Sequence, residues 1–112
     1  VAKPLRLAGR AAAALAAAAV FSSSSAQDVQ AGRAKAVMCQ TCHGLDGMGK
    51  LPDAPHLAGQ PAAYLERALR AYRSGERRNE VMAIAAKTLS DADIRDLAAY
   101  FSAIEIQLKR MP

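Results

Sequence analysis

The chain has 112 residues, with 15 lysines and arginines against 10 aspartates and glutamates, for a net charge of +5, and two cysteines. Three of the cations, Lys3, Arg6 and Arg10, fall in the first ten residues, so that beyond them 12 basic residues face 10 acidic ones, a balance of +2. Such a balance excludes the broad positive field that would hold a nucleic-acid backbone.

Residues 1–26 read as a cleavable export signal. Lys3, Arg6 and Arg10 form a basic leader, an unbroken apolar run covers residues 11–21, and Ser24-Ser25-Ala26 places small residues before a cleavage site after Ala26. Eleven apolar residues fall short of the roughly 20 needed to cross a bilayer. The expectation is a periplasmic protein with no membrane span in its mature part. That part, residues 27–112, is one domain whose core of side chains alone would be thin. Export also takes both cysteines to a compartment where thiols oxidise unless they are used.

The mature part shows helical periodicity three times and no strand-like alternation of useful length, which predicts an all-α fold with long connectors. A first helix is expected over 28–41, capped by Asp28, with Val29, Ala34, Ala36 and Val37 on its apolar side. Residues 44–60 carry Gly44, Gly47, Gly49, Pro52, Pro55 and Gly59, too many breakers for regular structure. A connector of that length in so small a domain is expected to wrap a cofactor.

Pro61 then opens a second helix and Gly75 closes it near Ser74. Tyr64, Leu65, Ala68, Leu69 and Tyr72 form its apolar stripe, opposite Glu66, Arg67, Arg70 and Arg73. After the polar connector 76–80 comes a short apolar piece around 81–86. The last helix starts at Ser90, with a capping-box-like pairing of Ser90 and Asp93. Its buried face is expected to be Ile94, Leu97, Ala98, Phe101, Ile104 and Leu108.

The densest chemistry lies in Cys39-Gln40-Thr41-Cys42-His43, a C-x-x-C-H pattern that matches covalent attachment of haem c. Two thiols at this spacing reach the two vinyl groups on one porphyrin edge, and the adjacent imidazole turns under the ring to bind iron. A redox disulfide would belong beside a βαβ pattern, which is absent from the sequence. A zinc site would need Cys39, Cys42, His43 and His56, whose spacing fits none of the usual Cys₂His₂ frameworks.

With "CQTCHGLDG", "PHLAGQPAAYLERALRAYRSGER" and "VMAIAAKTLSDADIRDLAAYF", residues 27–102 resemble a class I cytochrome c of the small bacterial monohaem kind. They are especially similar to one half of the bacterial dihaem cytochromes c. The resemblance implies a cytochrome c fold of three main helices and long loops around one covalently bound haem c. Five side chains compete for the sixth position on the iron: Met38, Met48, Met82, Met111 and His56. The family's axial methionine falls on Met82, eight residues before Ser90, and a thioether there raises the reduction potential relative to two histidines. His56 is read as a solvated loop histidine.

The resemblance also makes the Pro55 carbonyl the acceptor for the ring N–H of His43, which would fix tautomer and ring plane. Tyr64, Tyr72, Arg73, Arg77, Arg78 and Asn79 are candidates to meet the haem propionates, with Arg73 or Arg77 favoured for paired hydrogen bonds. It further implies that the first and last helices cross at Gly32, against Leu97 and Tyr100. Ala36 stands where many relatives carry an aromatic, a gap that Phe101 or Met38 would have to fill.

Together these readings give a one-electron carrier, not an enzyme, with His43 and Met82 as axial ligands and Cys39 and Cys42 as thioethers. Redox proteins, acidic-surfaced if Arg67, Arg70, Arg73, Arg77 and Arg78 steer them, are the expected partners of a monomer that forms transient complexes. A haem subunit of a periplasmic dehydrogenase or oxidase complex is the alternative. A ligand-binding haem sensor with an open distal position is a further one.

Overall fold

A computed structural model describes residues 1–5, 8–18 and 27–112. The expected cleavage after Ala26 lies outside the described residues. So does most of the junction leading to it. In the described residues α1 spans Val29–Ala36, a single 3₁₀ turn spans Val37–Cys39, and α2 spans Gln40–His43. Then follow α3 (Ala62–Ser74), α4 (Glu80–Lys87) and α5 (Asp91–Ser102). Among the described residues there is no strand, and no helix is long and apolar enough to cross a membrane.

The Asp28 side chain caps α1 by accepting from the amides of Gln30 and Ala31 at 2.8 and 3.0 Å. Its own amide donates to the Asp96 carboxylate at 2.9 Å, so the start of α1 is tied to the middle of α5. The two helices meet at Gly32, where an added Cβ would stand 2.6 Å from the carbonyl carbon of Asp96 and 2.9 Å from Cβ of Tyr100. This close approach decides which face of α1 is buried. Gly32 and Ala36, one turn apart, are buried, whereas Val29, Ala34 and Val37 are exposed, contrary to their expected inward position. Backbone proximity selects the smallest residues, and the larger apolar ones are turned out.

The helix expected over 28–41 is also interrupted, since Val37–Cys39 tightens to a 3₁₀ turn before α2 carries the chain to His43. Ala36 is fully buried among Leu65, Leu97 and Phe101. Phe101, which meets Tyr100 edge-on at 5.1 Å, supplies the aromatic volume there. Met38 is half exposed and does not.

Proline 61 and Gly75 bracket α3 as expected, Gly75 in the left-handed region at φ 84°. Leu65 is buried and Leu69 and Tyr72 pack against the core. The apolar piece around 81–86 is a full helix, α4, capped by Asn79, whose side chain accepts from the Met82 amide at 2.9 Å. Two turns later Ser90 and Asp93 close a reciprocal capping box at 3.0 Å in both directions.

The buried face of α5 is Ile94, Leu97, Ala98, Ala99 and Phe101. Leu108, expected on that face, is 93% exposed, because α5 stops at Ser102. The Phe101 carbonyl, which would continue the helix, instead accepts the amide of Gly59 at 2.9 Å. The long loop thereby ends the helix that supports it.

Candidate functional site

His43 is the last residue of α2, and Gly44, at φ 71°, turns the chain out of the helix. His43 is the one polar side chain among the described residues that is buried. Its Nδ1 lies 2.9 Å from the Pro55 carbonyl oxygen. A carbonyl only accepts, so Nδ1 carries the proton, and in the neutral ring Nε2 keeps its lone pair. This is the tautomer that a metal-ligating imidazole needs.

Cys39 and Cys42, four and one residues before it, are free thiols, each partly buried. Burial pushes the Cys39 thiol above its ordinary value, and the neighbouring Cys42 adds to the effect. Cys39 therefore stands as a neutral thiol beside the His43 imidazole.

Backbone hydrogen bonds hold the loop in place. Lys50 donates to the Cys42 carbonyl at 2.8 Å, while Leu57 and Ala58 both donate to the Gly47 carbonyl at 2.7 and 3.0 Å. Gly47 adopts φ 72°, and a Cβ there would stand 2.7 Å from the Ala58 amide nitrogen, so a side chain is barred by conformation and by space. Tyr100 donates from its hydroxyl to the Leu45 carbonyl, linking the loop to α5. The carbonyl of Pro55 is thus delivered to His43 by a folded strap whose ends are fixed.

The expected propionate candidates are sorted by their contacts. Arg73 donates to the Leu89 carbonyl at 3.0 Å and to Asp91 at 2.7 Å, which pins α3 to the start of α5. Arg70 reaches Asp91 at 3.1 Å and Glu66 at 3.3 Å, and these two arginines hold the Asp91 carboxyl below its ordinary range. Asn79 serves as the cap of α4. Arg77 is placed differently: its guanidinium lies 4.7 Å over the Tyr72 ring and donates to the Tyr64 hydroxyl at 3.3 Å.

Met82 lies in the first turn of α4, half-buried between the exposed Val81 and, one turn on, the exposed Ile84. Met48 and Met111 are exposed, like Met38. His56 is exposed, and its Nδ1 accepts the amide of Gly49 at 2.8 Å, a contact that nothing in the sequence pattern announces. Among the described residues no three His, Cys, Asp or Glu side chains come together as a metal cage, so the four donors of the zinc reading are not assembled.

These donors fit a covalently held haem. The two thiols are free, the imidazole has its Nδ1 hydrogen on the Pro55 carbonyl, and Leu45, Leu57, Leu69 and Tyr72 pack on the core while remaining only partly covered. Apolar side chains left half-covered by the chain are what a buried prosthetic group would cover.

Residues 29–105 match the family described as cytochrome c. The chain is 47% identical over 83 residues to cytochrome c-554(548) of Halomonas halodenitrificans, an alignment covering 71% of this chain and all of that protein. It is 44% identical over 80 residues to the thiosulfate dehydrogenase electron acceptor of Thiomonas intermedia, covering 70% of this chain and 36% of that one. The solved structure of reduced recombinant cytochrome c4 from Pseudomonas stutzeri superimposes with a TM-score of 0.67 at 37% identity, over 71% of this chain and 47% of that one. The chain thus spans the whole of one relative and less than half of the other two.

Proposed function

The chain belongs to the cytochrome c family, and from that premise we propose that Cys39 and Cys42 would form the haem thioethers while His43 and Met82 would supply the protein ligands to its iron. Family membership makes the protein a carrier of covalently bound haem c that transfers electrons and is not itself an enzyme. When bound, the haem supplies the reversible one-electron couple of its iron.

The chain's own residues do the rest. Cys39 and Cys42 tether the group, and His43 presents Nε2 because Pro55 holds the proton on Nδ1. The Asn79 cap fixes the start of α4, and with it the backbone of Met82. Leu45, Leu57, Leu69 and Tyr72 keep water from the ring. The observation that carries this reading is the hydrogen bond from His43 of the C-x-x-C-H motif to the Pro55 carbonyl of the loop. Arg77, cradled by Tyr64 and Tyr72, is assigned to a propionate. Arg73 is assigned to bracing α3 against α5, since both sides of its guanidinium already have protein acceptors.

The test is direct. Purified from a host that matures cytochromes c, the protein is expected to carry one haem per chain through denaturing mass spectrometry. Its reduced-minus-oxidised spectrum should be that of six-coordinate low-spin haem c. A haem lost on denaturation, or a high-spin spectrum, would overturn the assignment of these four residues.

The protein is placed in the periplasm, its leader removed near Ala26, with a redox protein as partner. Val81 and Ile84, exposed on both sides of Met82, suit a small transient docking patch. Arginine steering is weaker than the count of arginines suggests, because Glu66 and Asp91 answer Arg70 and Arg73. A second reading, the electron-accepting subunit of a dehydrogenase complex, is favoured by the likeness to the Thiomonas intermedia electron acceptor. Co-purification with an oxidoreductase from the native host is the expected result for that subunit, and recovery of the protein alone is expected for the free carrier.

A further inference from the structure

The strap that carries Pro55 is fastened next to it by a side chain that the electron-transfer reading leaves unused. His56, immediately after Pro55, accepts the Gly49 amide on Nδ1 at 2.8 Å. On its other side Leu57 and Ala58 donate to the Gly47 carbonyl. Two successive hydrogen-bonded links therefore join 56–58 to 47–49, and the Pro55 carbonyl projects from the end of that ladder onto His43. We propose that His56 is a positioning residue of the iron site, whose neutral imidazole, by accepting the Gly49 amide, holds the Pro55 carbonyl against the His43 ring. The inference rests on His43 being an axial ligand.

The fastening depends on the lone pair of His56 Nδ1, which accepts the Gly49 amide. Removing that acceptor would open the link. A loosened Pro55 contact would make His43 a less basic ligand. The reduction potential would then rise.

The charged groups of the same loop are Asp46 and Lys50, paired with each other at 3.0 Å, and Asp53. Glu105 lies on the 104–106 segment that packs over Gly59, and Gln60 donates to the His56 carbonyl at 3.4 Å. None of these side chains accepts from or donates to the imidazole among the described residues. The Gly49 contact is its one hydrogen bond there.

The experiment uses the haem-loaded full chain. Exchange of the His43 Nδ1 hydrogen with solvent deuterium, followed by NMR, is expected to quicken about tenfold in His56→Ala, the equivalent of one hydrogen bond. It should return towards the wild-type rate in His56→Asn, whose Oδ1 can accept the Gly49 amide. The reduction potential of His56→Ala is expected to lie above the wild type's, and that of His56→Asn close to it. Unchanged exchange in His56→Ala, or a His56→Ala potential no higher than the wild type's, overturns the proposal even if His56→Asn folds poorly. A low-spin spectrum kept alongside unmoved exchange rejects the role of His56 alone. Loss of the low-spin spectrum in the wild type would reject the ligation on which it rests.

Discussion

Replacing Gly32 by valine is expected to destabilise the protein by about 3 kcal/mol, the upper part of the range for overpacking a tight contact. The first atom of any side chain there would stand 2.6 Å from the Asp96 carbonyl carbon and 2.9 Å from Tyr100 Cβ. Its nearest neighbours are backbone and the root of a side chain, which cannot rotate away, so α5 itself must move off α1. Movement of α5 also disturbs the Tyr100 hydroxyl on Leu45 and the Phe101 carbonyl on Gly59, and through them the loop. For a domain of this size the thermal midpoint should fall by about 15 °C. Ala34→Val, on the exposed side of the same helix, isolates the crossing from helix propensity and should cost no more than about 0.7 kcal/mol. Equal losses in the two variants would show that the contact at Gly32 does not determine the packing.

Met82→Ala is expected to leave haem attached, because Cys39, Cys42 and His43 are untouched, while lowering the reduction potential by roughly 0.2 V, a fraction of the roughly 0.8 V that axial ligands span. The weak near-infrared band of methionine bound to ferric iron should vanish. The reduced variant should bind carbon monoxide rapidly at neutral pH, whereas the wild type should resist it. Fold damage is expected to be small. Alanine is a good helix former, the Asn79 cap bonds the amide of residue 82 rather than its side chain, and the thioether is only half buried. A wild-type protein that takes up carbon monoxide as fast as the variant would favour the open-site sensor.

Where a helix announces itself by caps and breakers, as at Ser90 with Asp93 or between Pro61 and Gly75, the sequence was sufficient. Capping is local, and its partners lie within a few residues of one another. The inward face of α1 was not legible by the same means. Hydrophobicity points to Val29, Ala34, Ala36 and Val37, of which only Ala36 is buried, beside Gly32, because α5 approaches that side to backbone distance, a demand arising on a segment far along the chain. In α4, Val81 and Ile84 remain exposed, so its apolar residues never formed a stripe to be read. The usable signal is Asn79, whose side chain caps the helix.

At the site, the spacing of Cys39, Cys42 and His43 carries its own chemistry. The acceptor for His43 is a main-chain oxygen, which leaves no trace in side-chain identity, and Pro55 came only through resemblance to a family. His56 illustrates the remaining difficulty. A histidine in a polar loop looks the same in sequence whether it is solvated or bonded to an amide seven residues away.

The contact between Asp28 and Asp96 joins residues 68 positions apart, and that separation sets an order of events during synthesis. Translation delivers the amino-terminal side first, so Cys39, Cys42 and His43 exist for the whole time needed to make the next sixty or so residues before α5 arrives to brace α1. During that interval neither thiol has the packing that later half-buries it. The late partner of the first helix thus leaves α1 unbraced while the chain is made, and the domain closes only once α5 is in place.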